Sequence, residues 1–144
     1  MQINTKYLFL DTSVYVRYLP NLKSESLFKK VFSYKLITCS ELLYEITDVC
    51  LRKQFTSRFN NEELDSYHKY VEQSVALIKY NSALHFNEPI LIEENIPVND
   101  SRDWYIHNLA LQNDVSIVTG DKHLLQLKNI NYPIIPVLDF LTNI

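Results

Sequence analysis

The chain alternates between short apolar runs and longer segments whose apolar residues recur at helical spacing. Three runs, residues 7–10, 36–39 and 115–118, are short and continuous, which predicts strands that are buried on both faces. Residues 90–92 are a weaker strand candidate. Residues 133–138 contain two prolines, and this predicts a strand at the edge of a sheet.

Between these runs, apolar residues recur every three or four positions, as is typical of helices with one buried face. Ser40 is predicted to cap one helix, Thr12 or Ser13 a second, and Asp100 or Ser101 a third. The predicted helices are residues 14–19, a helix that starts at Ser24 or Ser26, and residues 41–55, 61–80, 101–113 and 122–127. This alternation of strands and helices predicts an α/β fold with a mainly parallel sheet and right-handed crossovers.

The composition narrows the class of protein. A chain of 144 residues is large enough for one domain with its own core, and one glycine with five prolines argues against disorder or a turn-rich all-β fold. The formal net charge of −3 weighs against a broad phosphate-coating surface, but it leaves room for a local basic rim around an acidic pocket. The single glycine, Gly120, follows a predicted strand directly, where a sharp turn is expected.

The cellular compartment is predicted from the cysteines and from the apolar runs. Cys39 and Cys50 show no metal-binding spacing, and they are expected to be reduced and partly buried. The first apolar run is too short for a signal peptide, and no run approaches the roughly 20 residues of a membrane span. A cytoplasmic protein is therefore expected.

Acidic residues follow the predicted strands. Asp11 and Asp121 each come directly after a strand, Asp103 lies in the first turn of a helix, and Glu41 and Glu45 share one helix face. The carboxyl ends of parallel strands and the amino ends of helices meet at one edge of a sheet, so these side chains can converge there. Helix capping, dipole stabilisation and a solvated face are the simpler explanations. Converging carboxylates would repel one another without a cation, and oxygen-only ligands suit Mg²⁺ or Mn²⁺, which can promote attack on a phosphodiester.

Four segments resemble the sequence blocks of PIN domains: LDTSV at 10–14, SELLYEI at 40–46, DSRDWYIHNLA at 100–110 and IVTGDKHLL at 117–125. They most resemble the toxin components of bacterial toxin–antitoxin pairs, the VapC-like group and its close PIN relatives. The blocks stand in the family's order and span nearly the whole chain. The resemblance implies a single nuclease domain over residues 1–144, built as a three-layer α/β/α sandwich with a mainly parallel central sheet of four to five strands.

The resemblance also implies an activity, a Mg²⁺-dependent endoribonuclease (with Mn²⁺ as a possible substitute) that is inhibited by a cognate antitoxin. Asp11, Asp103 and Asp121 would hold one or two metal ions. Glu45 would orient or deprotonate the attacking water, leaving a 3′-hydroxyl and a 5′-phosphate. Waters or phosphate oxygens would be bound by three hydroxyl side chains: Thr12, Ser13 and Thr119. A homodimer is common in such proteins, although no segment here reveals a dimer face.

The chain departs from the family pattern in two places. The second block offers Glu41 beside Glu45, and Glu45 is chosen because of its spacing from Ser40 and the isoleucine that follows it. Where relatives often carry an acidic pair at the third block, this chain has Asp103-Trp104. Asp100 could partly replace the missing carboxylate, although capping is its simpler role.

Other functions are weighed against the nuclease. A phosphohydrolase with Asp11 as nucleophile is disfavoured, because haloacid-dehalogenase-like enzymes need a second aspartate where Ser13 stands. A PIN-like scaffold that binds RNA or a protein without cutting is the main alternative.

His123 is not favoured as a general acid, because it is predicted to lie in a surface turn. Five residues form a basic and aromatic cluster that could contact RNA, although a solvated helix end with two core phenylalanines is favoured: Arg52, Lys53, Phe55, Arg58 and Phe59.

Overall fold

The computed structural model of the protein describes residues 3–18, 30–94 and 102–143. The strands are β1 (Tyr7–Leu10), β2 (Ile37–Cys39), β3 (Leu84–Phe86), β4 (Val115–Thr119) and β5 (Ile134–Pro136). The helices are α1 (Thr12–Tyr18), α2 (Ser40–Cys50), α3 (Lys53–Thr56), α4 (Asn61–Asn81), α5 (Arg102–Gln112), α6 (Lys122–Leu125) and α7 (Val137–Thr142). Residues 30–32 are also helical. The predicted start of a helix at Ser24 or Ser26 lies outside the described residues. Pro20, Asp100 and Ser101 also lie outside them.

The strands form a parallel sheet. β4 pairs with β1 on one side and with β5 on the other, and β2 pairs with β3. A parallel bridge between Leu8 and Leu36 joins the two groups, and the Leu8 N–H donates to the Lys35 carbonyl over 2.9 Å. The strand order is therefore β3-β2-β1-β4-β5. The predicted α/β fold with a mainly parallel sheet is confirmed, and β5 lies at the predicted edge.

The β4 strand and the α5 helix form the centre of the core. All five residues of β4 are buried, so both faces of the sheet are covered, as a layered α/β sandwich requires. In α5, burial extends well beyond the apolar stripe of Ile106, Leu109 and Ala110, because Asp103 and His107 are buried too. This helix therefore carries Asp103 into the interior.

The prediction of a strand at residues 90–92 is wrong, and the strand in this part of the chain is β3, which lies a few residues earlier. All three β3 residues are half-buried, and the polar His85 lies between the two apolar residues of the strand. His85 contributes a polar contact between strands, because its Nδ1 atom lies 2.8 Å from the hydroxyl oxygen of Thr38 on β2. The apolar run at 90–92 instead exposes Leu91, which is 65% accessible.

Residues 90–94, called here the tethered segment, have their backbone bound by side chains of two helices. Glu41 on α2 accepts a hydrogen bond from the Ile90 N–H over 2.7 Å. The Oδ1 atom of Asn108 on α5 accepts from the Glu93 and Glu94 N–H groups over 2.8 and 3.0 Å. These side chains satisfy backbone groups that a strand would have paired with a neighbouring strand.

Helix ends differ from prediction in detail. The helix predicted at 41–55 stops at Cys50, and α3 follows after a break. Ser40 is the first residue of α2 and not its cap, because its hydroxyl donates to the Asn87 carbonyl over 3.0 Å. Thr12 and Ser13 likewise lie inside the first turn of α1. The predicted helix at 61–80 is confirmed as α4, which starts with a capping box at Asn60. Within the described ranges, no helix is long and apolar enough to cross a membrane.

Candidate functional site

Asp11 lies at the junction of β1 and α1, beside the end of β4. Its backbone N–H donates to the Val118 carbonyl over 3.1 Å, so the backbone pairing of the two strands continues to this residue. The side chain is only 5% exposed. One carboxylate oxygen accepts a short hydrogen bond from the Ser13 hydroxyl, and the other accepts one from the Thr119 hydroxyl. Burial and two hydroxyl donors therefore hold this carboxyl group in one orientation.

The same two hydroxyls also bind the chain after β4. The Ser13 oxygen accepts from the Gly120 N–H over 3.0 Å, and the Thr119 oxygen accepts from the Asp121 N–H over 2.9 Å. The family resemblance implied that these hydroxyls bind waters or phosphate oxygens, and in the structure each of them donates a hydrogen bond to Asp11. Thr12 differs, because its hydroxyl oxygen is buried and has no hydrogen-bond partner among the described residues.

The environment of Asp11 favours the protonated form of its carboxyl group. Burial raises the pKa of Asp11 from 3.8 to about 6, because the charged form loses its hydration. Hydrogen bonds from Ser13, Thr119 and the Val14 backbone lower the pKa of Asp11 in part, and the negative charge of Asp121 raises it again. A cation between the two carboxylates would oppose both causes that raise this pKa.

Asp121 lies between β4 and α6. Its Oδ1 atom accepts a hydrogen bond from the His123 N–H over 2.8 Å, so the simple prediction that it caps the following helix is borne out. Each carboxylate oxygen has two lone pairs, so an oxygen that accepts one hydrogen bond can still bind an ion. Gly120 does not have a positive φ, and an added Cβ would meet Ser13 at an ordinary 3.5 Å. The backbone at this position therefore does not require a glycine.

Glu41 and Glu45 lie one turn apart on α2 but have different surroundings. Glu41 binds the backbone of the tethered segment through Ile90. Glu45 is half-buried, and its Oε2 atom accepts a hydrogen bond from the Tyr105 hydroxyl over 3.2 Å. Tyr105 lies on α5, two residues after Asp103. The hydroxyl of Tyr105 thus links Glu45 to the helix that carries Asp103.

All four predicted acidic residues line one cavity of about 510 Å³. Asp11 and Asp121 come from the strand ends, Glu45 from α2, and Asp103 from α5, where it is 4% exposed. In the described parts of the chain, no three His, Cys, Asp or Glu side chains are arranged to hold one metal ion together as they stand. The full lining is Asp11, Thr12, Ser13, Val16, Arg17, Glu45, Val49, Phe55, Asp103, Ile106 and Asp121.

Five of the lining residues were not predicted as members of this site, and two of these five, Arg17 and Phe55, bring a charge and an aromatic ring to it. Arg17 lies one helical turn after Ser13 on α1, and this spacing was the available signal. Phe55 belongs to the basic and aromatic cluster, in which a core position was favoured. Phe59 does have a packing role, since its ring lies 4.9 Å from that of Tyr67 and 4.9 Å from the guanidinium of Arg58.

The histidines lie apart from the acidic cavity. His123 and His68 are exposed, and neither lines the cavity. His107 is buried, and its Nδ1 atom lies 2.7 Å from the hydroxyl oxygen of Tyr132. The described geometry therefore gives His107 a structural contact. Within the described residues, His123 binds the Asp121 carboxylate through its backbone N–H and not through its ring.

The PIN domain family is matched by residues 7–123, a span that contains all four acidic residues. Since this span covers most of the 144 residues, the chain belongs to the PIN domain family. PIN domains are in general nucleases, hydrolases that act on nucleic acid, and they usually use divalent metal ions. A search of curated proteins gave no match.

The donor set of the cavity fits a divalent cation. Its titratable groups are carboxylates and one arginine, and carboxylate oxygens are the ligands that Mg²⁺ and Mn²⁺ prefer. The raised pKa of Asp11, caused first by burial and also by the charge of Asp121, identifies a position where a cation would offset the cost of ionisation. The side chains would need to close toward the ion, because no three of the described acidic groups are arranged to share one.

Proposed function

We propose that the protein is a Mg²⁺-dependent endoribonuclease, with one nuclease domain over residues 1–144. The observation that carries this proposal is the cavity that Asp11, Glu45, Asp103 and Asp121 line together at the ends of β1 and β4. Membership of a family of nucleases supports it. The substrate is RNA, and the products are a 3′-hydroxyl and a 5′-phosphate.

Asp11, Asp103 and Asp121 would hold Mg²⁺, with Mn²⁺ as a substitute. When bound, the ion neutralises the carboxylates and the charge that develops on the phosphodiester. Ser13 and Thr119 keep the Asp11 carboxylate in place through their hydroxyl donors.

Glu45 would orient the attacking water and accept its proton. Tyr105 holds the Glu45 carboxylate in position for this role through the 3.2 Å hydrogen bond. A general base must lie within hydrogen-bond reach of the proton that it removes. The hydrogen bond from Tyr105 therefore helps to keep the Glu45 carboxylate where it can serve as the base. Thr12, with its buried hydroxyl in the cavity wall, can bind a water or a phosphate oxygen.

The test is cleavage of total tRNA, rRNA and mRNA by the purified protein, with the product ends mapped. Cleavage is expected with Mg²⁺, and it should be abolished by EDTA, by Asp11→Asn and by Glu45→Gln. Asp65→Asn is the matched control, because Asp65 is exposed on α4 and does not line the cavity. Cleavage that survives EDTA and both site substitutions would overturn the proposal.

A catalytically silent scaffold that binds RNA or a protein is the second candidate. It is favoured by the absence, within the described residues, of three acidic side chains arranged around one ion. RNA binding without any cleavage under Mg²⁺ or Mn²⁺ would support the scaffold and refute the nuclease.

We further propose that the protein is the cytoplasmic, VapC-like toxin of a toxin–antitoxin pair. A neighbouring reading frame that encodes a DNA-binding antitoxin should relieve the growth arrest that the nuclease causes, and it should co-purify with the protein. Arrest that the neighbouring frame does not relieve would refute this assignment. A homodimer is expected, and light scattering on the purified protein will measure its mass.

A further inference from the structure

Arg17 is the one basic side chain among the described residues that line the acidic cavity. It lies in the last turn of α1 and is exposed. Ser13, one turn earlier on the same helix, is hydrogen-bonded to Asp11. Arg17 therefore lies at the solvent side of the cavity, while the Asp11 carboxylate lies deep inside it.

Arg17 does not neutralise the carboxylates beside it. Two salt bridges join described residues, Arg52–Asp48 and His107–Glu94, and Arg17 takes part in neither. A guanidinium beside four carboxylates would ordinarily bind one of them through paired hydrogen bonds. Its five N–H donors are thus available to an anion that enters the cavity, and phosphate suits their geometry.

Phe55 forms part of an apolar portion of the same cavity. It lies on the short helix α3 and is half-buried, and three aliphatic side chains line the cavity with it: Val16, Val49 and Ile106. Phe59 is different, because its half-buried ring packs on the ring of Tyr67. The Phe55 ring has no ring partner among the described residues, so no other aromatic ring takes the place of a planar ligand beside it.

We propose that Arg17 binds a phosphate of the RNA backbone and that Phe55 packs against the base of the adjoining nucleotide. This inference rests on the proposed function and identifies two residues that position its substrate. A phosphate contact and a ring for stacking, set on one cavity, match the repeating chemistry of a nucleotide strand. Together these two contacts place a phosphodiester over the four carboxylates.

The test is the cleavage of a fluorescent single-stranded oligoribonucleotide at several salt concentrations. Arg17→Ala should raise KM about tenfold and reduce the slope of log affinity against log salt by about 0.7, the contribution of one phosphate on a single strand. Arg17→Lys should restore the slope but only part of the affinity, because an ammonium group lacks the forked geometry. A purely structural role for Arg17 would leave the salt slope unchanged.

For the ring, Phe55→Leu preserves apolar volume but removes the stacking surface. Loss of stacking should weaken binding by about 5- to 150-fold. The matched controls are Arg58→Ala and Phe59→Leu, which change the same residue types outside the cavity. Circular dichroism on each variant shows whether it is folded.

Binding is measured separately, by fluorescence anisotropy of the same oligonucleotide in the Glu45→Gln background with Mg²⁺. If the unsubstituted protein cuts RNA while Arg17→Ala and Phe55→Leu match their controls in KM and salt slope, this inference is overturned and the nuclease proposal stands. If nothing cuts but binding still depends on Arg17 and Phe55, the nuclease proposal fails and the inference of a nucleotide-binding site stands. Weaker binding in both variants, beyond their controls, supports the inference.

Discussion

Asp11→Asn should stabilise the metal-free protein at neutral and alkaline pH. The carboxyl group is 5% exposed, and burial raises its pKa from 3.8 to about 6 in the folded protein. Asparagine preserves the size of the side chain and cannot ionise, and like the protonated carboxyl group it offers one acceptor oxygen and one donor group. The substitution therefore removes the cost of burying a negative charge.

The sign of the pH dependence follows from the two pKa values. Below pH 3.8 the group is protonated in the folded and unfolded states, and it contributes no penalty. As the pH rises from 3.8 to about 6, the unfolded chain loses its proton first, so the free energy of unfolding decreases. Above this window the penalty is complete. A shift of roughly two units corresponds to about 3 kcal/mol, since each unit is worth about 1.4 kcal/mol.

The assay is urea unfolding between pH 3.5 and pH 8, in the presence of EDTA. Asp11→Asn should match the unsubstituted protein near pH 4 and exceed it by up to about 3 kcal/mol at pH 8. The control is Asp65→Asn, which removes an exposed carboxylate and should show no such window. Equal stabilities of the Asp11→Asn variant and the unsubstituted protein at pH 8 would refute the argument from burial.

The same measurement with Mg²⁺ tests whether an ion offsets this penalty. At tenfold above its Kd, a ligand that binds only the folded state adds about 1.4 kcal/mol. The gain is expected at pH 8 in the unsubstituted protein, and it should be much smaller in Asp11→Asn. An equal gain in both would show that Mg²⁺ acts elsewhere.

Three further predictions concern other contacts. Thr119→Val should raise the pKa of Asp11 further, by about one unit, because it removes one hydrogen bond to the carboxylate, and the acidic limb of the pH–activity profile should move up accordingly; an unmoved limb would contradict it. Asn108→Ala should cost about 2–4 kcal/mol in urea unfolding, because it removes a buried side chain that binds two N–H groups and one carbonyl of the tethered segment, whereas the control Asn113→Ala loses one hydrogen bond to the Leu109 carbonyl. Burial raises the pKa of Cys39 to about 12, so a thiol reagent at pH 8 should react with Cys39 only as fast as the protein opens, and rapid reaction of the folded protein would refute this.

The central strands could be predicted from the sequence because burial on both faces produces a recognisable local pattern of apolar residues. Residues 7–10 and 115–118 are covered on both faces, so they read as continuous apolar runs. β3 shows no such pattern, since its three residues are half-buried and the middle one is His85. Residues 90–92 resemble a strand, but their backbone is satisfied by side chains distant in sequence, which no local pattern reveals.

For the candidate site, the sequence predicted four carboxylates that line one cavity but not how their side chains are held. Asp11 and Asp121 follow strands that are parallel neighbours, so topology alone brings them together. The hydroxyl of Thr119 binds Asp11 across 108 positions of the chain, and such a contact depends on the orientations of side chains in the folded protein. Phe55 was ambiguous for the same reason, because its hydrophobicity is equally suited to a core or to a cavity wall.

The tethered segment has a consequence for how this region tolerates change. Glu41 and Asn108 bind its main chain and not its side chains, so natural variants can replace most residues there without losing the anchoring bonds. The number of residues between the backbone groups that Glu41 and Asn108 bind cannot change so freely. Glu41 lies a turn before Glu45 and Asn108 lies five residues after Asp103, so an insertion or deletion would pull two acidic groups out of alignment. Among related sequences, this stretch should vary widely in composition while its length is conserved.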